Sequence, residues 1–154
     1  MRRGRRLGID AGKARVGVAL CDPDGLLATP VETIQREDAQ LISRLVSLVN
    51  EYDVIEIVVG LPLNLSGNHT PSTADALALA VQIDEALDIP VVMIDERLTT
   101  VSAHAALAQT GKKQRATRSV IDQVAAVMVL QHALDSERAS GKPAGIPVSE
   151  VKDA

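Results

Sequence analysis

Leu, Ile and Val crowd residues 5–10 and 15–21, on either side of a polar break around Gly12; the turn signal Asp22-Pro23-Asp24-Gly25 then precedes a third extended run over 26–34. Three consecutive antiparallel strands are expected. Pro30 sends the third to an edge position, because proline donates no ladder hydrogen bond. The period then changes. Leu41, Ile42, Leu45, Val46, Leu48 and Val49 recur at helical spacing, and 54–60 is a nearly unbroken apolar run typical of a strand covered on both faces. A polar loop over 64–73 leads to an Ala- and Leu-rich helix over 74–87, and Pro90 introduces a fifth strand over 91–95. Thr99 or Thr100 caps a helix running to about Gln109, Gly111 stops it, and 118–137 reads as a long final helix. The pattern predicts an α/β fold: a mixed five-stranded sheet, three antiparallel strands and then two parallel ones, with helices on both faces.

The chain length of 154 residues fits one domain, expected over 1–138, and Gly141, Pro143, Gly145 and Pro147 mark 139–154 as a flexible tail. No apolar run reaches the roughly 18 residues of a membrane span, and the Arg-rich start lacks the apolar stretch of a signal peptide, so a cytoplasmic protein with no membrane partner is expected. Cys21 is the single cysteine and reads as a small apolar strand residue. Tyr52 is the single aromatic ring, which disfavours binding modes that stack successive bases. Any nucleic-acid contact then runs through charge.

The net charge of −4 hides a segregation. Arg2, Arg3, Arg5, Arg6, Lys13 and Arg15 stand in the first fifteen residues beside one acid, Asp10, and Lys112, Lys113, Arg115 and Arg118 form a second basic cluster. Between Ala19 and Glu96 only Arg36 and Arg44 are basic, so the middle of the chain is unsuited to facing a polyanion. Composition alone favours solvated ends for the two clusters.

In sheets of this kind ligands gather at the carboxyl ends of the parallel strands, near the point where the topology switches. Asp10, Gly60 and Asp95-Glu96 all close predicted strands. A third carboxylate, Asp122, lies in the last helix among Arg118, Ala125, Ala126, Val129 and Ala133, a side small enough to pack close on the sheet. There it needs a cation, either Arg118 or a metal. Hard oxygen ligands, with His69, His104 and His132 isolated from one another, point to Mg²⁺ or Mn²⁺ rather than zinc. Three converging carboxylates suit a pair of ions about 3.5–4 Å apart that activate water and clamp a scissile phosphate.

Gly8-Ile9-Asp10-Ala11-Gly12-Lys13-Ala14-Arg15-Val16-Gly17-Val18-Ala19, Val59-Gly60-Leu61-Pro62, Asp95-Glu96-Arg97-Leu98-Thr99-Thr100 and Asp122-Gln123-Val124-Ala125-Ala126 resemble, in order and spacing, the YqgF (RuvX) family of bacterial RNase H-like nucleases. The resemblance runs from about Arg6 to Asp135. It implies an RNase H-like fold, assignment as a Holliday junction resolvase, a role in trimming the 5′ end of the 16S ribosomal RNA precursor, and an acidic catalytic and metal-binding site on Asp10, Glu96 and Asp122. Lys13, Arg15, Arg97, Lys112, Lys113, Arg115 and Arg118 are the candidate contacts to structured RNA or branched DNA, the stretch 112–118 as a basic loop feeding the helix of Asp122. Arg97 serves to orient Glu96, to reach a phosphate, or as a structural ion pair. Ser66 replaces an Asp common before Gly67, and Asp75, Leu77 and Ala78 occupy a helix that carries Arg and Lys in some relatives.

Two other functions compete. The segment 8–12 also resembles the first phosphate loop of actin-like ATPases, but those close two such domains around the nucleotide, and 13–14 lacks the glycines and Ser/Thr of a P-loop. A non-catalytic RNA-binding ribosome-assembly factor would not need all three acids. Junction cleavage requires two sites related by dimer symmetry, so monomer and homodimer both stay open.

Overall fold

A computed structural model describes residues 1–98 and 114–151. The first three strands, β1 (Arg6–Ala11), β2 (Arg15–Cys21) and β3 (Ala28–Gln35), form the expected antiparallel meander, followed by α1 (Leu41–Tyr52), β4 (Glu56–Leu61), α2 (Pro71–Ala86) and β5 (Val91–Asp95). A single 3₁₀ turn, Glu96–Leu98, closes β5; beyond it lie α3 (Gln114–Ser140), β6 (Ile146–Pro147) and the short α4 (Val148–Val151). Sheet order is β3-β2-β1-β4-β5-β6, with β1, β4 and β5 parallel and β3 on the edge. Pro30 sits beside a register shift between Val18 and Ala19, where the ladder tolerates a missing donor.

The sheet separates two cores. Leu7, Ile9, Val16, Val18, Ile57, Val59, Val91 and Met93 face α1 and α2, whereas Ala19, Cys21, Val58, Val92 and Ile94 face α3 through Ala126, Val129, Leu130 and Ala133. Burial on both faces explains the unbroken apolar run of β4, every residue of which is buried. The α3 side is packed tightly because small residues line it. A Cβ on Gly8 would stand 2.7 Å from the Leu130 Cβ, and one on Gly17 would fall within 2.5 Å of the Asp122 carbonyl carbon, nearer still to its oxygen. Gly17→Ala must therefore push α3 off β2. A loss of about 2 kcal/mol is expected, seen as a fall of roughly 4–8 °C in Tm.

Four expectations change. The sheet has six strands rather than five, because Ile146–Pro147 pairs antiparallel with β5. The loose tail expected over 139–154 is instead docked as far as Val151, with Val148 and Val151 buried in the α1/α2 core; the Gly and Pro residues there shape a turn, Gly145 at φ +88°, rather than a free end. Third, α3 begins at Gln114, so Arg115 and Arg118 stand in its first turns and not in a loop. Lys112 and Lys113, and the helix expected from Thr99 or Thr100 to Gln109, lie outside the described residues. Similarly, α2 starts three residues before the expected Ala74, since Pro71 takes the first helical position and Thr70 and Thr73 cap each other reciprocally. Among the described residues no helix is long and apolar enough to cross a membrane.

Four of the six cations in the first cluster prove structural. Arg6 opens β1, about 13 Å from Asp10 at strand spacing, with its side chain 1% exposed and its Nη2 donating to Glu137 Oε2 at 2.8 Å. Arg2 reaches Glu137 Oε1 at 2.5 Å and Glu56 Oε1 at 3.1 Å; Arg3 pairs with Asp24, and Arg5 lies over the Tyr52 ring at 5.8 Å.

Candidate active site

The topology switches at β1, antiparallel to β2 on one side and parallel to β4 on the other, and Asp10 stands at that point next to the strand's end. Two strands away, β5 ends at Asp95 and delivers Glu96 on the first position of the 3₁₀ turn. A side chain on the intervening β4 would normally separate the two acids. Gly60 is the residue there: a Cβ on it would come within 2.7 Å of Glu96 Cγ and Cδ, and closer to Oε1. The missing methyl is the corridor through which Glu96 crosses β4 to meet Asp10. Sequence reading took Gly60 only as a strand-closing residue; its signal was a glycine interrupting a β-branched run.

Asp10 and Glu96 are hydrogen-bonded side chain to side chain, and two carboxyl groups so close cannot both ionise readily. Burial of Asp10, the hydrogen bond and charge of Glu96, and the charge of Asp122 together push the Asp10 carboxyl up to about 9. That shift favours the protonated Asp10 carboxyl at neutral pH, and a cation bound there would oppose it. Asp122 stands near enough for its charge to act on Asp10, and its Oδ2 accepts from Arg15 Nε at 2.8 Å. The cation found against Asp122 is thus Arg15, from β2, 107 positions away in the chain and not among the candidates weighed for that role. Among the described residues no three Asp, Glu, His or Cys side chains stand, as placed, in a group able to hold one ion. The expected triad is a touching pair with its third member turned to an arginine.

Arg97 forms an ion pair with Asp95, the structural role among those expected of it. Its Nε lies 2.9 Å and its Nη2 2.6 Å from Asp95 Oδ2, which holds the Asp95 carboxyl below its usual range, and its Nη1 reaches the Leu65 carbonyl at 3.4 Å. It ties the loop after β4 to the end of β5. Lys13 is exposed at the β1–β2 turn, closed by Gly12 N to Arg15 O at 2.9 Å. Arg36, which sequence reading passed over, fastens this turn to α2: its Nη1 donates to Gly12 O at 2.9 Å and to Asp75 Oδ2 at 2.8 Å. Asp75, the departure from a basic α2, is accordingly an anchor for Arg36. His69 is exposed and His132 half-buried; neither is near enough to other ligating groups to join them in holding an ion.

Gly60→Ala isolates the contribution of the corridor. The variant is expected to stay folded, because the Glu96 side chain can swing outward, while cleavage falls at least about 100-fold as the acids part. Circular dichroism and a cleavage assay on one preparation check both halves.

A profile of the RuvX family, described as Holliday junction resolvase, matches residues 4–136. A protein of Leifsonia xyli subsp. xyli assigned as a pre-16S rRNA nuclease is 53% identical over 149 residues, covering 96% of each chain. One from Streptomyces coelicolor with the same assignment is 51% identical over 153 residues, covering 98% of this chain and 92% of its own. Among solved structures, T. thermophilus RuvC in complex with a Holliday junction substrate superposes with a TM-score of 0.57 at 16% identity, over 92% of this chain and 99% of that one, a likeness of fold. A family match over most of the sequence, with relatives more than 50% identical, leads to one assignment: the chain belongs to the RuvX family.

Proposed function

We propose that this chain is a nuclease that hydrolyses phosphodiester bonds of structured RNA, with the 5′ end of the 16S rRNA precursor as its substrate. The observation that carries the reading is the contact of Asp10 with Glu96 at the sheet's switch point, with Asp122 in electrostatic reach. The family match and the names carried by relatives more than 50% identical support the substrate. The donor set fits a hard divalent ion, Mg²⁺ or Mn²⁺, because all candidate ligands are carboxylate oxygens and two of them lie in contact. Asp10 and Glu96 would hold such ions, with Asp122 as the third ligand. Bound there, they would supply activation of water and stabilisation of charge on the scissile phosphate.

The chain's own residues supply the rest. Gly60 and the 3₁₀ turn set the separation of the two acids, and Arg36 fixes the turn that bears Lys13. Lys13 and Arg15, on and next to the β1–β2 turn that follows Asp10, are the described cations offered to phosphates flanking the scissile bond. Arg97, with its guanidinium on Asp95, serves by holding the loop at the rim.

A second reading, cleavage of four-way DNA junctions, is favoured by the family description and by the fold shared with a junction-bound RuvC. Incubating the purified chain with precursor 16S rRNA and with a DNA four-way junction, each with Mg²⁺, Mn²⁺ or EDTA, separates the two. Metal-dependent trimming of the RNA with the junction intact is expected. Cleavage of the junction alone would reverse the order of the readings. Activity in EDTA equal to that in Mg²⁺ would end the metal-dependent one.

A further inference from the structure

We propose that Arg15 is a positioning residue that holds the Asp122 carboxylate away from the ion site until a divalent cation displaces it. The inference rests on the nuclease reading above, since it concerns the third ligand of that site. Three observations carry it. First, Arg15 Nε and Asp122 Oδ2 are 2.8 Å apart, with side chains only 29% and 16% exposed, so solvent screens the pair poorly. Second, the Asp122 backbone is fixed by its close approach to Gly17, which leaves side-chain rotation as the freedom available to the carboxylate. Third, among the described residues the acids form no group of three able to hold an ion as placed.

A guanidinium and a divalent ion compete for the same carboxylate. With Arg15 in place, the Asp122 carboxylate is neutralised by an internal cation from β2. Placing a doubly charged ion between Asp10 and Glu96 repels the neighbouring guanidinium and attracts Asp122, favouring the exchange. Arg97 plays no such part, because its fork is committed to Asp95.

The test is a calorimetric titration of the full chain with Mn²⁺, without RNA, using wild type, Arg15→Gln and Asp10→Asn. Removing the competitor is expected to tighten Mn²⁺ binding roughly fivefold, the scale of one partly exposed ion pair, and Asp10→Asn is expected to remove it. A purely structural role for Arg15 would weaken Mn²⁺ binding or leave it unmoved. Either result, with Asp10→Asn still abolishing binding, overturns the proposal and leaves the nuclease reading intact. Mn²⁺ binding unaffected by Asp10→Asn would instead sink the ion site itself. Arg15→Met, which keeps an unbranched stem without the charge, gives the same comparison if the Gln variant melts early.

Discussion

Asp10→Asn is expected to lower metal-dependent cleavage by about a thousandfold or more while making the metal-free protein more stable. Loss of activity follows because the amide keeps the shape but gives up the charge that Glu96 and a divalent ion both answer to. The gain in stability follows from the titration of the pair. The Asp10 carboxyl, pushed up to about 9 mainly by burial and then by Glu96, keeps its proton in the folded protein over a range where the unfolded chain has released it. A raised acid contributes its stability fully below about pH 4, and that contribution is lost as pH rises toward 9. Metal-free wild type should therefore weaken between these limits, whereas the Asn variant lacks this dependence. By pH 9 the difference should reach a few kcal/mol, or roughly 5–10 °C in Tm, and Mg²⁺ should narrow it by stabilising wild type alone. Thermal melts at pH 5, 7 and 9, with and without Mg²⁺, check this; a gap that stays constant with pH would show that the two acids do not share a proton.

The largest loss of stability is expected at the far end of the molecule. Glu137 is 3% exposed and receives Arg6 Nη2 at 2.8 Å and Arg2 Nη2 at 2.5 Å. Burial pushes its carboxyl up, but the hydrogen bonds and charges of the two arginines outweigh that and hold it below the usual range. A depressed acid contributes stability above the unfolded value near 4.3 and loses it as pH falls through the folded one. Glu137→Ala leaves Arg6 buried with only the Gly4 and Arg2 carbonyl oxygens as partners, so a loss of about 3–5 kcal/mol is expected at pH 7. Cleavage per folded molecule at low temperature should hardly change, because the pair lies at the opposite end of β1 from Asp10. A denaturant melt beside the cleavage assay measures both. A fall in specific activity matching the fall in stability would show that the two ends of the sheet are coupled.

These results divide the basic residues in a way that composition does not. Arg2, Arg3 and Arg6 pair with acids at the starting edge of β1, whereas Lys13 and Arg15 stand at its finishing edge beside the carboxylates. The two groups are within fifteen residues in the sequence, and only the length of a strand separates them in space. Asp75 teaches the same lesson in reverse: in the sequence a departure from a helix that is basic in some relatives, it is a fastening for Arg36.

Local order was determined by the sequence by itself. The pleat period of β1 and β2, the unbroken apolar run of β4, Pro30 on an edge and the helical spacing of α1 are short-range patterns that backbone geometry imposes directly, and the strand-ending positions of Asp10 and Asp95-Glu96 follow from them. Three acids with no metal-binding Cys or His beside them were legible in the same way. Tertiary structure decided which groups meet. That Arg15 faces Asp122, that Gly60 opens a path between the two acids, and that Ile146–Pro147 extends the sheet all depend on the lateral order of the strands and on how closely α3 packs. Periodicity fixes the direction of a side chain from its own strand or helix; its partner across 107 positions is fixed only when the sheet is assembled.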